Sequence, residues 1–149
     1  MAFKTITLKG RGVRNEAVAN EIITPGMLVE LMSTGKVRKH AAAGAYAEKA
    51  FAVEDELQGK EIGDTYAAAA LVQYEIFKPG DEVFSLLANG ENVAIGDKLD
   101  SNGDGQLRKH LKESGTLGEA VPVATALEAV DMSDSSAADP SGRIAIRIL

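Results

Sequence analysis

The residues of this chain best suited to chemistry are three oxygen-bearing side chains at alternate positions, Asp100, Asn102 and Asp104, followed by Gly105. An EF-hand calcium loop carries oxygen ligands at its positions 1, 3 and 5, a glycine at 6 and a bidentate glutamate at 12. Counted from Asp100, position 12 is Leu111, whose side chain has no oxygen. The loop therefore lacks two ligand oxygens of a calcium site.

The same segment is also typical of a tight turn between two β-strands. Asn-Gly and Asp-Gly pairs favour hairpins because the central positions of a type I′ turn need positive φ. The run Asn102-Gly103-Asp104-Gly105 contains two such pairs. The sequence thus favours a hairpin, with no metal and no cofactor, and leaves a calcium-dependent extracellular β binding module (adhesin-like or lectin-like) as the alternative function.

Catalytic motifs are missing from the sequence. No motif places a carboxylate or a nucleophile beside His40 or His110, and the charged surroundings of His110 predict a solvated side chain. Asp81 and Asp97 adjoin glycines in turn signals, where aspartate commonly bonds its own backbone. No P-loop, nucleophile elbow or zinc-protease motif occurs. The sequence predicts that this protein is not an enzyme.

Composition limits the partners that the chain can have. It has 149 residues, of which 45% are hydrophobic and 26% are charged, and its net charge of −6 argues against a nucleic-acid-binding surface. The absence of cysteine excludes disulfides and thiolate chemistry. No apolar run has the length of a membrane span, and the first residues lack the apolar core of a signal peptide. We expect a protein made in a cytoplasm, with no membrane partner.

Short apolar or alternating segments between Pro-Gly, Asn-Gly and Gly-Asp turns predict a mainly β protein. We expect a compact small barrel or sandwich of short antiparallel strands, with little helix. Strands are predicted at residues 27–32, with a hairpin partner at 36–40, and at 72–77, 82–88 and 143–149. The Ala-rich segment 41–52 fits a helix or a strand, residues 125–131 are predicted to make one or two helical turns, and 133–142 is predicted to be a loop.

Residues 1–20 are interpreted as an extended N-terminal arm and linker, followed by one β-rich domain at residues 21–149. The first residues alternate between apolar and polar side chains, and the segment behind them is polar and irregular. Such a strand could add to the sheet of a neighbouring protein, with Phe3, Ile6 and Leu8 as anchors. The alternative, that it belongs to the protein's own sheet, is equally well supported.

Four blocks, in this order and spacing, resemble the small capsid decoration (cement) proteins of tailed bacteriophages. They are PGMLVEL, GKVRKHA, FAVEDELQGKEIGDTY and KPGDEVFSLLANGENVAIGDKLDSNGDGQL, within residues 20–110. The chain departs from the family after Tyr66, where such proteins often carry a Gly-containing turn and this chain has Ala67–Ala70.

The resemblance implies a compact β protein that forms a homotrimer on the exterior of the phage head. It would bind the major capsid protein at three-fold and quasi-three-fold positions and stabilise the expanded shell against the pressure of packaged DNA. It implies a virion protein without catalytic residues. The N-terminal segment of this family often contacts the capsid, which here would involve Phe3, Ile6 and Leu8. The Ala-rich stretches 41–52 and 67–71 are candidates for the trimer contact or for the core.

Overall fold

The computed structural model describes residues 3–111, 120–133 and 142–149, so most of the loop predicted at 133–142 lies outside the described residues. A short 3-10 helix at Glu56–Gln58 is the one helical element in those ranges. The strands, in chain order, are β1 (Thr7–Lys9), β2 (Val13–Val18), β3 (Val29–Leu31), β4 (Val37–Lys39), β5 (Ala50–Ala52), β6 (Leu71–Ile76), β7 (Glu82–Leu86), β8 (Asn92–Val93), β9 (Lys98–Ser101), β10 (Leu107–Lys109), β11 (Ala124–Ala126), β12 (Val130–Asp131) and β13 (Arg143–Ile148). The prediction of a mainly β fold with short antiparallel strands is confirmed.

The largest sheet has six strands in the order β1-β7-β13-β11-β9-β10. Strand β13 lies inside it, paired antiparallel with β7 on one side and β11 on the other. This position follows from the alternation of the strand, because Ile144, Ile146 and Ile148 all point into the larger apolar cluster. Burying three β-branched side chains on one face ties the end of the chain to the centre of the sheet.

A smaller sheet, in the order β2-β6-β5, lies against a second apolar cluster that includes Ile23, Val29, Val37 and Val72. Strand β5 lies between the two clusters. Phe51 belongs to the larger cluster, whereas its neighbours Ala50 and Ala52 belong to the smaller one. Since successive strand residues point to opposite faces, all three residues of β5 are buried.

Two predicted hairpins are confirmed. Strands β3 and β4 pair with Glu30 opposite Arg38. Strands β9 and β10 pair with Ser101 opposite Leu107, so the loop between them has five residues rather than two. Gly103 and Gly105 have φ of 90° and 82° in that loop, which explains why glycine occupies both positions.

The N-terminal residues differ from the predicted arm and linker. Strand β1 pairs antiparallel with β7 of the protein's own sheet. The segment interpreted as an irregular linker forms β2, and its six residues pair in unbroken register with β6. The sequence does not show this because the charged side chains of β2 point away from the core, which leaves only Ala17 buried.

Two further local predictions have different outcomes. For the Ala-rich segment 41–52, predicted as a helix or a strand, the helix is wrong: residues 41–49 form a loop and its last three residues form a strand, β5. Residues 125–131 do not form helical turns, because β11 pairs with both β9 and β13 and β12 pairs with β8. Pairing on both sides outweighs the modest helix preference of Ala, Leu and Glu. In the ranges that the structure describes, no helix has the length and apolarity needed to cross a membrane.

Candidate interaction surfaces

The carboxylate of Asp100 accepts hydrogen bonds from two side chains of the protein itself. Asp100 lies on β9, is almost completely buried, and faces Arg108 across the hairpin. Arg108 Nε donates to Asp100 Oδ1 at 2.6 Å, and His110 Nδ1 donates to Asp100 Oδ2 at 2.9 Å. Both oxygens that a calcium ion would use are therefore occupied by donors. His110 is also not the solvated side chain that the sequence predicts, because its ring is mostly covered.

The two other proposed calcium ligands shape the hairpin loop. The amide of Gln106 donates to Asp104 Oδ1 at 3.2 Å, and Asn102 Nδ2 lies 3.4 Å from both oxygens of Asp104. The backbone amide of Asn102 donates to the carbonyl oxygen of Gln106 at 2.9 Å. Within the described part of the chain, no three His, Asp or Glu side chains are grouped to hold a metal ion. The geometry gives no support to the calcium alternative.

A buried histidine and serine, which the sequence does not bring together, join the hairpin to the Ala-rich loop. His40 Nδ1 lies 2.6 Å from Ser101 Oγ, and His40 Nε2 lies 3.2 Å from the carbonyl oxygen of Tyr46. Because a carbonyl can only accept, Nε2 carries a proton, and in the neutral ring Nδ1 accepts from Ser101. Ser101 Oγ also accepts from the amide of Gly103 at 3.1 Å. Ser101 is fully buried, so its bond to His40 joins the β9–β10 hairpin to the Ala-rich loop and does not present the serine hydroxyl to a substrate.

The loop that these bonds position exposes a group of apolar residues. The amide of Gly44 donates to the carbonyl oxygen of Ser101 at 2.8 Å, and the amide of Val121 donates to the carbonyl oxygen of Gly44 at 2.8 Å. The small side chains of Ala43 and Ala45 are exposed on either side of Gly44. We call the set Ala43, Ala45, Tyr46, Leu111 and Val121 the Tyr46 surface.

The Tyr46 surface lines a cavity of about 900 Å³. Tyr46 is 74% exposed and Leu111 is 68% exposed. Lys49 Nζ lies 5.4 Å from the centre of the Tyr46 ring, and most of the ring surface is in contact with solvent. Asp100 and Arg108 also line the cavity. Glu91, Asn102 and Lys109 line it as well, so the cavity combines exposed apolar side chains with charged and polar ones, a mixture that is suited to contact another protein.

The three residues predicted to anchor the capsid contact lie in different environments. The ring of Phe3 packs edge-on against Phe84 with a centroid distance of 5.1 Å. Ile6 is fully buried, and its amide donates to Glu54 Oε2 at 3.0 Å. Leu8 is half-buried on β1. Ile6 therefore packs within the protein itself, whereas Phe3 and Leu8 are both partly exposed.

Charged groups surround the junction of β1, β2 and β6. Burial raises the pKa of Glu54 above its usual value, although the amide of Ile6 donates to it. Thr7 Oγ1 donates to Glu75 Oε2 at 2.8 Å, which attaches β1 to β6. For Glu56, burial raises the pKa, but the hydrogen bond from Arg14, a backbone hydrogen bond and the charge of Arg14 together outweigh it, so the pKa is lowered. Arg14 Nη1 donates to Glu56 Oε1 at 2.8 Å.

Strand β2 has one open edge. It is the terminal strand of its sheet, and beyond its end a single bridge joins Ala19 to Val37 of β4. Val13 is 63% exposed and Val18 is also exposed. Glu16 accepts from Gln73 Nε2 at 3.0 Å on the outer face of the sheet. This strand is a second surface that is available to a partner.

Comparison with known proteins relates the fold to a bacteriophage protein. No family model matches the sequence, and no curated protein matches it. The fold is similar to the crystal structure of the head fiber gp8.5 N base of bacteriophage phi29, with a TM-score of 0.56 and 13% sequence identity. The match covers 92% of this chain and 93% of that one. At this identity the likeness shows a shared fold.

Proposed function

We propose that this chain is a structural protein of a phage virion, a trimeric decoration (cement) protein that binds the outside of the head. The observation that carries this proposal is the fold shared with a phage head fiber base over nearly the whole chain. The four sequence blocks that resemble capsid decoration proteins lie in the part of the chain that forms β3 to β10. The first support comes from the backbone geometry and the second from the order of residues in the sequence, so they rest on different properties of the chain.

The Tyr46 surface is our candidate for the trimer contact. Ala43 and Ala45 allow a neighbouring backbone to approach closely, and Tyr46 offers a large ring that is enriched at interfaces. Leu111 and Val121 extend the apolar area on the same cavity. Asp100 and Arg108 compensate each other's charge beneath it. Three copies that bury this surface would remove from water an apolar group that the single chain leaves exposed.

The proposed mechanism is stabilisation by selective binding. The partner is the major capsid protein, at three-fold and quasi-three-fold positions of the expanded shell. A protein that binds the assembled shell and not its separated subunits stabilises the shell by its binding free energy. Repetition over many sites adds these contributions, and a trimer that engages three neighbours at once gains avidity.

The capsid-facing residues stay a prediction. Phe3, Ile6 and Leu8 were the expected anchors, but Ile6 could reach the shell only if β1 left β7. In the folded subunit the partly exposed members, Phe3 and Leu8, are available for contact.

Sedimentation with expanded, undecorated capsids of the parent phage tests the proposal. We expect the purified protein to pellet with these capsids at micromolar concentration and to raise their melting temperature. A protein that stays in the supernatant with capsids of normal integrity would contradict it.

Light scattering tests the trimer contact separately. We expect a mass of three chains for the native protein and a lower mass for Tyr46→Asp. Ile95→Asp is the matched control, because Ile95 is a 70% exposed apolar residue outside the Tyr46 surface. Equal effects of the two substitutions would remove the Tyr46 surface from the interface.

A further inference from the structure

The open edge of β2 carries backbone groups that are ready to pair with another strand. Its six residues pair with β6 in unbroken register, and on the opposite edge the described strands leave Val13 to Ala17 unpaired, because β4 meets this edge only at its end through the bridge between Ala19 and Val37. Natural edge strands are commonly protected by charged side chains, above all lysine, by proline, by a bulge or by a covering loop, and β2 carries two charges of opposite sign, Arg14 and Glu16. The β2 sequence contains neither lysine nor proline. A regular, uncovered edge of this length is a template for β-addition.

The hydrogen bonds around β2 show which residues face outward. The amide of Ala19 donates to the carbonyl oxygen of Ala70 at 2.7 Å, on the β6 side, and the amide of Asn20 donates to the carbonyl oxygen of Val37 at 2.9 Å, on the other side. Because backbone groups of successive strand residues point to opposite edges, the odd-numbered residues of β2 bond β6. The amides and carbonyls of Arg14 and Glu16 therefore point outward.

We propose that two copies of this chain associate by antiparallel pairing of β2 with β2 around a two-fold axis at Asn15. In this register Arg14 of one copy lies opposite Glu16 of its partner, and Glu16 lies opposite Arg14. The outward groups of these residues make four backbone hydrogen bonds, which join two three-stranded sheets into one of six strands. Val13, exposed in the single chain, lies opposite Ala17 of the second copy.

Charge complementarity favours this register, and it favours a second copy of the chain as the strand that pairs with β2. Two other two-fold registers also let the outward backbone groups of the two strands bond each other. One places Arg14 opposite Arg14 of the second copy, and the other places Glu16 opposite Glu16. Directly opposed like charges destabilise a strand pair, whereas opposite charges stabilise it. Only the register centred on Asn15 gives each of the two charged side chains of β2 a neighbour of opposite charge. This neighbour adds to the bonds within the single chain, where Arg14 donates to Glu56 and Glu16 accepts from Gln73. The self-complementary charge pattern is what an isologous contact requires.

The contact is independent of the proposed capsid role. It lies on the edge of the small sheet, and the Tyr46 surface lies on the loop attached to the β9–β10 hairpin. A two-fold contact makes two chains from one, and it makes six from three where its axis crosses the three-fold axis at a right angle.

Sedimentation velocity of the full chain at concentrations up to about 1 mM tests the pairing. We expect the number of chains in the particle to double with rising concentration. Glu16→Arg should weaken this doubling roughly tenfold, because Arg14 then faces arginine, and adding Arg14→Glu should restore it. A native protein that never doubles, or a double variant no better than Glu16→Arg, would overturn the proposal.

Amide hydrogen exchange supplies an internal control. We expect the amides of Arg14 and Glu16 to become protected as the concentration rises, whereas the amide of Asn15, which bonds β6, is protected throughout. Glu16→Pro removes one outward amide while leaving the bonds to β6 intact, since proline is tolerated on the free side of an edge strand. If folded Glu16→Pro protein doubles as the native chain does, or if the two outward amides exchange at a constant rate, the β2 pairing is wrong.

Discussion

Arg143 Nη1 donates a hydrogen bond to the carbonyl oxygen of Pro25 at 2.7 Å, which ties the inner strand β13 to the turn before β3. Arg143 Nη2 donates to the carbonyl oxygen of Ile62 at 3.0 Å, and the guanidinium carbon lies 5.8 Å from the centre of the Phe84 ring. A Cβ at Gly26, whose φ is 97°, would collide with Arg143 Nη1. Glycine is thus required beside a buried guanidinium whose hydrogen bonds go to carbonyl oxygens.

Replacing Arg143 by methionine should destabilise the fold by about 2–4 kcal/mol, because the buried carbonyl of Pro25 and the partly buried carbonyl of Ile62 lose their donor. The free energy of unfolding from urea titration measures this. Arg147→Met is the matched control, since Arg147 lies on the same strand with an exposed side chain, and it should change the stability by less than about 0.5 kcal/mol. Similar losses in the two variants would show that the contacts of Arg143 contribute little.

Two fully buried serines should respond in opposite ways to the same substitution. Ser85 Oγ has no hydrogen-bond partner among the described residues, whereas Ser101 Oγ bonds both His40 and Gly103. Ser85→Ala removes an unsatisfied hydroxyl, so we expect unchanged or slightly higher stability. Ser101→Ala leaves two polar groups without partners and should lose about 1–3 kcal/mol. Thermal melts of both variants check the order, and a larger loss for Ser85→Ala would contradict it.

Asp100→Asn should destabilise the hairpin by about 2–4 kcal/mol, because Arg108 and His110 would face a neutral side chain that presents donors. Asp104→Asn is the control, since an amide oxygen can still accept from Gln106, and it should lose less than about 1 kcal/mol. Chemical denaturation separates these values. If the two variants are equally stable, the buried cluster around Asp100 is not a stabilising feature.

The local parts of this fold could be predicted from the sequence, and its long-range pairings could not. Turn residues mark the β3–β4 and β9–β10 hairpins, and strict alternation marks β13. Strand β2 is hidden because its partner β6 lies more than fifty positions away and its outer side chains are polar. The partners of Asp100 could have been found, since the hairpin register places Arg108 opposite it. No sequence signal brings His40 to Ser101, because their contact depends on how the Ala-rich loop folds over the hairpin.

Two neighbouring glutamates should give opposite pH dependences of stability. The pKa of Glu54 is raised in the folded protein by burial, so its stabilising contribution is complete below the reference value of 4.5 and is lost as the pH rises through the folded pKa. For Glu56, burial raises the pKa, but the hydrogen bond and charge of Arg14 and a backbone hydrogen bond together lower it by more, so the contribution of Glu56 to stability is complete above 4.5 and is lost as the pH falls through the folded pKa.

Denaturation of Glu54→Gln and Glu56→Gln across the acidic range checks these signs. The stability of the native protein relative to Glu54→Gln should decrease as the pH rises from below 4.5 towards neutrality. Relative to Glu56→Gln it should increase over the same change. Slopes of the same sign in the two comparisons would refute the assignment of opposite pKa shifts.

Ala69 occupies a backbone conformation that favours glycine. Ala69 has φ of 72°, the one positive φ of a non-glycine residue in the described ranges. It lies in an exposed turn in which the amide of Ala70 donates to the carbonyl oxygen of Ala67 at 3.0 Å. A left-handed conformation costs an alanine about 1 kcal/mol relative to glycine.

Ala69→Gly should therefore stabilise the protein by up to about 1 kcal/mol, because relief of the left-handed strain exceeds the added freedom of the unfolded chain. Ala67→Gly is the control in the same exposed turn, and it should lose about 0.4–1 kcal/mol because Ala67 has an ordinary negative φ. The urea concentrations at which the two variants are half unfolded, compared with that of the native protein, measure these changes in stability. A loss of stability in Ala69→Gly comparable with that in Ala67→Gly would mean that the turn carries no strain that glycine can relieve.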